Sequence, residues 1–139
     1  MLVQFVLLSL IFFLPEMETL RFQGWVIGTL LKFLGWALLI WAGVSLGRNL
    51  TPLPKPKADA KLITSGAFAL MRHPIYTGLI LLTFGSALER GHGLALLLAL
   101  CLTVLLEFKS RREEQWLCEQ FSQYAAYQKT VKKFIPLIY

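Results

Sequence analysis

The chain has 139 residues, 56% of them hydrophobic, with a mean hydropathy of +0.60, which is too apolar for a soluble domain of ordinary composition. Its net charge of +6 does not point to nucleic acid, because the basic residues flank apolar segments and do not gather on one aromatic-studded face. The two cysteines, Cys101 in an apolar run and Cys118 in a charged one, form no metal-ligand pattern, so the expectation is two free thiols and no metal.

Leu2 to Leu14 is apolar except for Gln4 and Ser9. As a helix, about 13 residues rise only roughly 20 Å against a hydrocarbon core of ~30 Å, so this first span must be thin, tilted or frayed. Leu14, Pro15, Glu16 and Met17 do not suit a signal peptidase, and the run reads as a retained membrane segment. Pro15, Glu16 and Glu18 then form a polar connection. Trp25 to Gly47 is long enough to cross fully, with Trp25 as an interface anchor. Lys32 interrupts it, but only two turns from Trp25, from where its long side chain snorkels to the nearer surface.

Residues 48–61 (RNLTPLPKPKADAK) hold three prolines and four basic residues without apolar periodicity, the composition of an extended surface loop. Gly66 allows a tight turn. Pro74 lacks an amide N–H and suits the first turn of a helix, restraining His73 to extended geometry. A third span therefore runs from Pro74 to Leu88, and His73, Tyr76 and Thr77 share one face of it. Arg72 and His73 stand at its mouth, where unpaired N–H groups and the macrodipole favour an anion. By spacing alone these residues read equally well as interfacial anchors. Glu89 to Gly93 is a tight connection in which His92 is a solvated loop residue.

Leu94 to Phe108 is a fourth span with no Gly or Pro to stop it, so the helix is expected to continue into KSRREEQWLCEQF. There Lys109 with Glu113, and Arg111 with Glu107 and Glu114, are spaced to pair. Residues 125–139 are basic and aromatic, suited to a membrane surface or to folding back over the site. The expectation is one all-α domain over 1–139, a polytopic membrane bundle. Its spans are about 2–14, 25–47, 74–88 and 94–108, with a loop at 48–66 and a C-terminal helical extension over 109–139. Eleven Lys and Arg on one side against three on or near the other put both termini, that loop and the extension in the cytoplasm.

Two separated stretches then carry a resemblance. LITSGAFALMRHPIYTGLILLTFGSAL, with its Gly-aromatic turn, Arg72-His73-Pro74-x-Tyr76 and apolar helix, resembles the signature of the isoprenylcysteine carboxyl methyltransferase and phospholipid methyltransferase superfamily. REEQWLCEQFSQYAAYQKTVKKFIP is similar to the same family's C-terminal region, with paired Glu, spaced Tyr and a final basic-aromatic-Ile-Pro. It departs from the pattern in having Ser122 where the family usually carries Gly, with one residue fewer before Tyr124.

The resemblance implies an integral inner-membrane enzyme, multi-pass, with its site facing the cytoplasm, that moves a methyl group from S-adenosylmethionine to a lipophilic acceptor partitioned in the bilayer. Arg72, His73 and Glu114 are the implied catalytic residues. Leu62, Gly66, Phe68, His73, Pro74, Tyr76, Glu113, Glu114 and Tyr127 are the implied cofactor residues, with Tyr124 as a further candidate for the adenine slot. Arg72 would orient an acceptor carboxylate; for a thiol, amine or hydroxyl acceptor, His73 or a Glu would take a proton. Of the two glutamates, which lie about 100° apart on a helix, only one is expected to point squarely at the third span, Glu114 being preferred. The alternatives are a relative of NADPH-dependent membrane sterol reductases, which share an Arg-His-Pro-x-Tyr element, and a non-enzymatic membrane subunit.

Overall fold

The computed structural model describes residues 2–13, 21–47 and 61–139. The polar connection at Pro15, Glu16 and Glu18 and the Pro-rich loop up to Ala60 lie outside them. The described residues form six helices and no strand: α1 (Leu2–Phe13), α2 (Arg21–Leu46), α3 (Ala67–Leu70), α4 (Pro74–Arg90), α5 (Gly93–Gln120) and α6 (Tyr124–Thr130).

Helix boundaries follow their breakers. α2 starts four residues before Trp25 because nothing between Arg21 and Gly24 stops it, and it ends where Gly47 adopts φ 52°, the left-handed geometry favoured just past a helix. α4 starts at Pro74 as the sequence predicts. It runs through Glu89 and Arg90 into Gly91, also left-handed at φ 62°, so the connection to α5 is shorter than expected. His92 stays in this connection and is half-exposed, so it is solvated only in part. Its carbonyl accepts from Leu96 N–H at 3.2 Å, and its Nδ1 is shielded from solvent without a hydrogen-bond partner.

α5 is continuous over 28 residues, roughly 42 Å. Its first half, Gly93 to Leu106, carries no charge, and the polar stretch beginning at Glu107 lies beyond that apolar segment. Among the described residues two helices are long and apolar enough to cross a membrane, α2 over Gly24–Leu46 and α5. With 12 residues α1 falls short of that length, and α4 has 17. Large apolar side chains including Phe13, Phe33, Trp36 and Val44 point outward, as expected of helices whose solvent is lipid.

The chain divides into two compact units, one from residues 1–37 and 78–106, the other from 38–77 and 107–139. In the first, α2 and α4 meet backbone to backbone. A Cβ at Gly24 would stand 2.6 Å from the Leu88 carbonyl oxygen, one at Gly28 2.5 Å from that of Gly85, and one at Gly35 2.8 Å from that of Gly78. Small residues let apolar helices approach this closely, which matters where lipid removes the hydrophobic drive for association. Beside this seam Lys32 pairs with Glu89. The lysine does reach toward its nearer helix end, but a carboxylate of α4 neutralises it there, which the reading of a lone snorkelling side chain missed.

In the second unit the last turn of α2 is tied to the chain before α4. Ser45 Oγ donates to the Trp41 carbonyl at 2.8 Å and accepts from Ala67 N–H at 3.2 Å. Gly66, at φ 61°, lies so close to Ser45 that a Cβ would meet its Oγ at 2.3 Å. Gly66 therefore has a packing reason that is independent of any ligand.

Gly28→Val should push its new carbon into the Gly85 backbone and destabilise the protein by roughly 1–3 kcal/mol. Gly43, where an added Cβ would meet nothing within 4 Å, is the control: Gly43→Ala should unfold no earlier than wild type in detergent. Equal melting temperatures for wild type and the Gly28 variant would show that the seam is not a packing constraint.

Candidate active site

The site is built within residues 38–77 and 107–139. Between α3 and α4 the chain is extended, and its two free-standing amides are taken by the C-terminal segment: Arg72 N–H donates to the Lys132 carbonyl at 2.8 Å and His73 N–H to that of Lys133 at 3.0 Å. Sequence alone places these amides at an open, anion-attracting mouth. Here they hold main-chain oxygens instead. Thr77 extends the attachment, its hydroxyl donating to the Phe134 carbonyl at 3.0 Å.

Arg72 is the junction of the site. Its Nε donates to Glu114 Oε1 at 2.8 Å, and its Nη1 to the carbonyls of Gln128 at 3.1 Å and Val131 at 2.6 Å. A guanidinium has five N–H donors in a fixed fork, so Nη2 carries two more. Glu114 also accepts from His73 Nε2 at 3.0 Å and, on its other oxygen, from Gln128 Nε2 at 3.2 Å. Burial alone would raise the Glu114 pKa, but the bonds from His73 and Arg72 outweigh it and hold the carboxyl down at about 2. An ionised carboxylate only accepts, so His73 carries its proton on Nε2.

Glu113 has the opposite environment. Burial pushes its pKa up, against the lowering effect of the Tyr76 hydroxyl, which donates to its Oε1, and of nearby His73 and Lys109. Its Oε2 stands 3.9 Å from His73 Nδ1. Of the pair only Glu113 bonds a residue of α4, as expected of two glutamates about 100° apart, but it is not the preferred one: Glu114 bonds the extended residues Arg72 and His73 ahead of the helix. Their partners are spread out: Arg72 and His73 precede α4 and Tyr76 is the third residue within it, so two adjacent α5 residues find different partners.

The aromatic residues form two groups. His73 stacks on Tyr76, centroids 5.3 Å apart and planes within 5°, and Phe134 makes a tilted contact with the histidine at 5.8 Å. Lys109 Nζ lies 5.1 Å from the Tyr76 ring centre, a cation–π distance. Separately, Tyr127 donates to the Phe68 carbonyl and packs against the buried Tyr124 at 5.6 Å. Burial pushes the Tyr127 hydroxyl up to about 12, so it stays a donor. Tyr124 lies buried despite the shortened spacing after Ser122. Of the residues expected to form one site, Arg72, His73, Tyr76, Glu113 and Glu114 come together, and Phe68 joins Tyr127. Pro74 is buried at the start of α4, and Leu62 is half-buried ahead of the Gly66 turn.

Sequence reasoning missed a second cluster. Glu107 Oε1 accepts from Arg111 Nε at 2.7 Å, Lys133 Nζ at 2.8 Å and Tyr139 OH at 3.1 Å, while its Oε2 is shielded without a partner. Only the Glu107–Arg111 pairing is legible in sequence, from its i,i+4 spacing; Lys133, in the basic-aromatic-Ile-Pro ending, gives no local sign of its partner.

The family model for phospholipid methyltransferase matches residues 23–124. The chain belongs to this family. The match takes in the Arg72–Tyr76 turn and both glutamates, and with the apolar helices it points to a membrane methyltransferase. No curated protein matches the chain.

Two outcomes follow from the bonds at Arg72 and Glu114. Arg72→Met takes one donor from the half-buried Glu114 carboxylate and the side-chain donor from two carbonyls and should destabilise the protein by roughly 3 kcal/mol; Arg72→Lys, which cannot fork, should recover only part. Since Glu114 ionises below its ordinary 4.5 when folded, its stabilisation is complete above that pH and drains as pH falls toward about 2. Glu114→Gln should be less stable than wild type at neutral pH and lose less across that acid window. Identical melting-temperature slopes for the two proteins would remove Glu114 from that role.

Proposed function

We propose that the protein is an integral membrane methyltransferase that uses S-adenosylmethionine and methylates a lipophilic acceptor residing in the bilayer. The observation that carries this reading is the pairing of the two family motifs: Arg72 and His73 with Glu114, and Tyr76 with Glu113.

The donor set suits the cofactor. S-adenosylmethionine supplies, when bound, an electrophilic methyl group on a sulfonium, together with an amino-acid carboxylate and ammonium. Glu113 and Glu114 offer carboxylates for cationic groups, and the Nη2 donors of Arg72 suit a ligand carboxylate. Phe68 with Tyr127 offers an aromatic edge for a purine, and Gly66 and Pro74 shape the turn from which Arg72 and His73 project. Leu62 is assigned to the apolar wall of the same region.

In-line methyl transfer needs alignment and exclusion of water more than acid–base chemistry. Arg72, fixed by three bonds, and His73, packed against Tyr76 and Phe134, are preorganised for that. His73 Nδ1 faces Glu113, so a proton leaving a thiol, amine or hydroxyl acceptor has a route to Nδ1 and then to Glu113, whose raised pKa suits it to receive one. An acceptor carboxylate would instead be oriented by Arg72.

The topology we favour has four spans, α1, α2, α4 and the apolar half of α5. Residues 61–77 and 109–139 face the cytoplasm, supported by the excess of Lys and Arg on that side. α1 and α4 would cross a locally thinned bilayer or tilt little.

The shared bonds of Arg72, His73 and Glu114 make those residues structural as well, so the sharper probe is Glu113→Gln. The detergent-purified wild type should bind S-adenosylmethionine and not NADPH, and Glu113→Gln, losing one charge-assisted contact, should bind roughly 10-fold or more weakly. In membranes given the methyl-labelled cofactor, label should enter the organic phase of a lipid extract. Binding of NADPH alone, or label confined to water-soluble products, would overturn this function.

Cysteine labelling of intact cells tests the topology separately. A single cysteine at Gly91 should react with an impermeant reagent and one at Gln128 should not; the reverse pattern would invert the orientation.

A further inference from the structure

After α6 the chain does not trail off. Phe134 and Ile135 N–H both donate to the Tyr139 carbonyl at 2.7 Å, and Ile138 N–H donates to Ile135 O at 3.2 Å, so residues 134–139 close into a loop. At its tip Leu137 adopts φ 66°, a left-handed backbone that leucine rarely takes. The loop presents aliphatic side chains to the outside: Leu137 is 92% exposed, Ile138 73% and Ile135 50%. A closed loop that holds branched apolar residues away from the protein needs a reason outside the protein.

Its attachment points indicate its depth. Lys133 Nζ and Tyr139 OH bind Glu107, the first charged residue after the uncharged stretch Gly93–Leu106 of α5. The Phe134 carbonyl is held by Thr77 in the first turn of α4. Both helices are anchored to the loop at the ends of their apolar stretches, the level at which a spanning helix leaves hydrocarbon for headgroups. Two exposed cations, Lys129 and Lys132, precede the loop, and basic residues beside aliphatic ones are the pairing an anionic membrane interface attracts.

From these observations we propose that residues 134–139 form a wedge in the bilayer interface. Ile135, Leu137 and Ile138 seat at the headgroup–acyl boundary of the leaflet bordering the site, with Lys129 and Lys132 against its phosphates. The wedge depends on α4 and α5 spanning the bilayer and not on methyl transfer, so it stands or falls separately from the proposed activity.

The test uses the full chain in nanodiscs of phosphatidylcholine with phosphatidylglycerol, in a Cys101→Ser/Cys118→Ser background. A nitroxide is placed through Leu137→Cys or Ile138→Cys, and through Gln123→Cys, an exposed position before α6, as the aqueous control. Collisions with oxygen should exceed those with a water-soluble nickel chelate at 137 and 138, and the ratio should invert at 123. Changing Lys129 and Lys132 to Gln should move the 137 ratio toward the aqueous value. A 137 label as open to nickel as the 123 label would overturn the wedge. So would spin–spin broadening at 137 that disappears on dilution with unlabelled protein, since a second copy of the chain would then cover the loop. A 137 ratio unmoved by loss of both lysines would overturn their part in it.

Discussion

One guanidinium carries the second unit. Arg72 ties the turn before α4 to α5 through Glu114 and to the end of α6 through the carbonyls of Gln128 and Val131. A single cation satisfying one carboxylate and two main-chain oxygens is a demanding arrangement, because a buried charge stabilises only when its partners are all in place. It also explains why an arginine stands here: lysine offers a point charge, whereas these acceptors lie in different directions from one planar fork. The histidine beside it depends on that arrangement, since Glu114 is the common acceptor of Arg72 and His73.

The two glutamates show how neighbouring residues acquire opposite chemistry. Glu114, surrounded by donors, stays ionised; Glu113, buried with a tyrosine hydroxyl and a more distant histidine nitrogen, holds a proton more readily. Environments that push the pKa values of adjacent acids apart are characteristic of sites that handle both charge and protons. Here the difference arises from about 100° of helix rotation, which turns one carboxyl toward the extended residues Arg72 and His73 and the other toward Tyr76 on the helix itself.

Much of this was legible in the sequence. Arg72, His73, Pro74 and Tyr76 announced a helix start with chemistry at its mouth, and the structure begins α4 at Pro74. That one of Glu113 and Glu114 would face that turn was expected from the resemblance of both motifs to one family. What stayed hidden had no local signature. The partner of Lys32 is 57 residues away. The glycines of the α2–α4 seam read in sequence only as weak helix formers, because their function is to have no side chain where another backbone arrives. The attachment of residues 132–134 works through main-chain carbonyls, which every residue possesses, so no residue type could reveal it.

That attachment has a consequence for how the protein comes into being. Arg72 and His73 leave the ribosome long before residues 131–133, whose carbonyls they hold in the finished protein. Until those residues and Phe134 emerge, Arg72 lacks the Val131 and Lys132 carbonyls and His73 lacks the Lys133 carbonyl and the Phe134 ring. The helices can enter the membrane during synthesis, but the site is completed only after translation has passed residue 134. A stalled or shortened nascent chain would therefore lack the contacts that complete the constellation around His73.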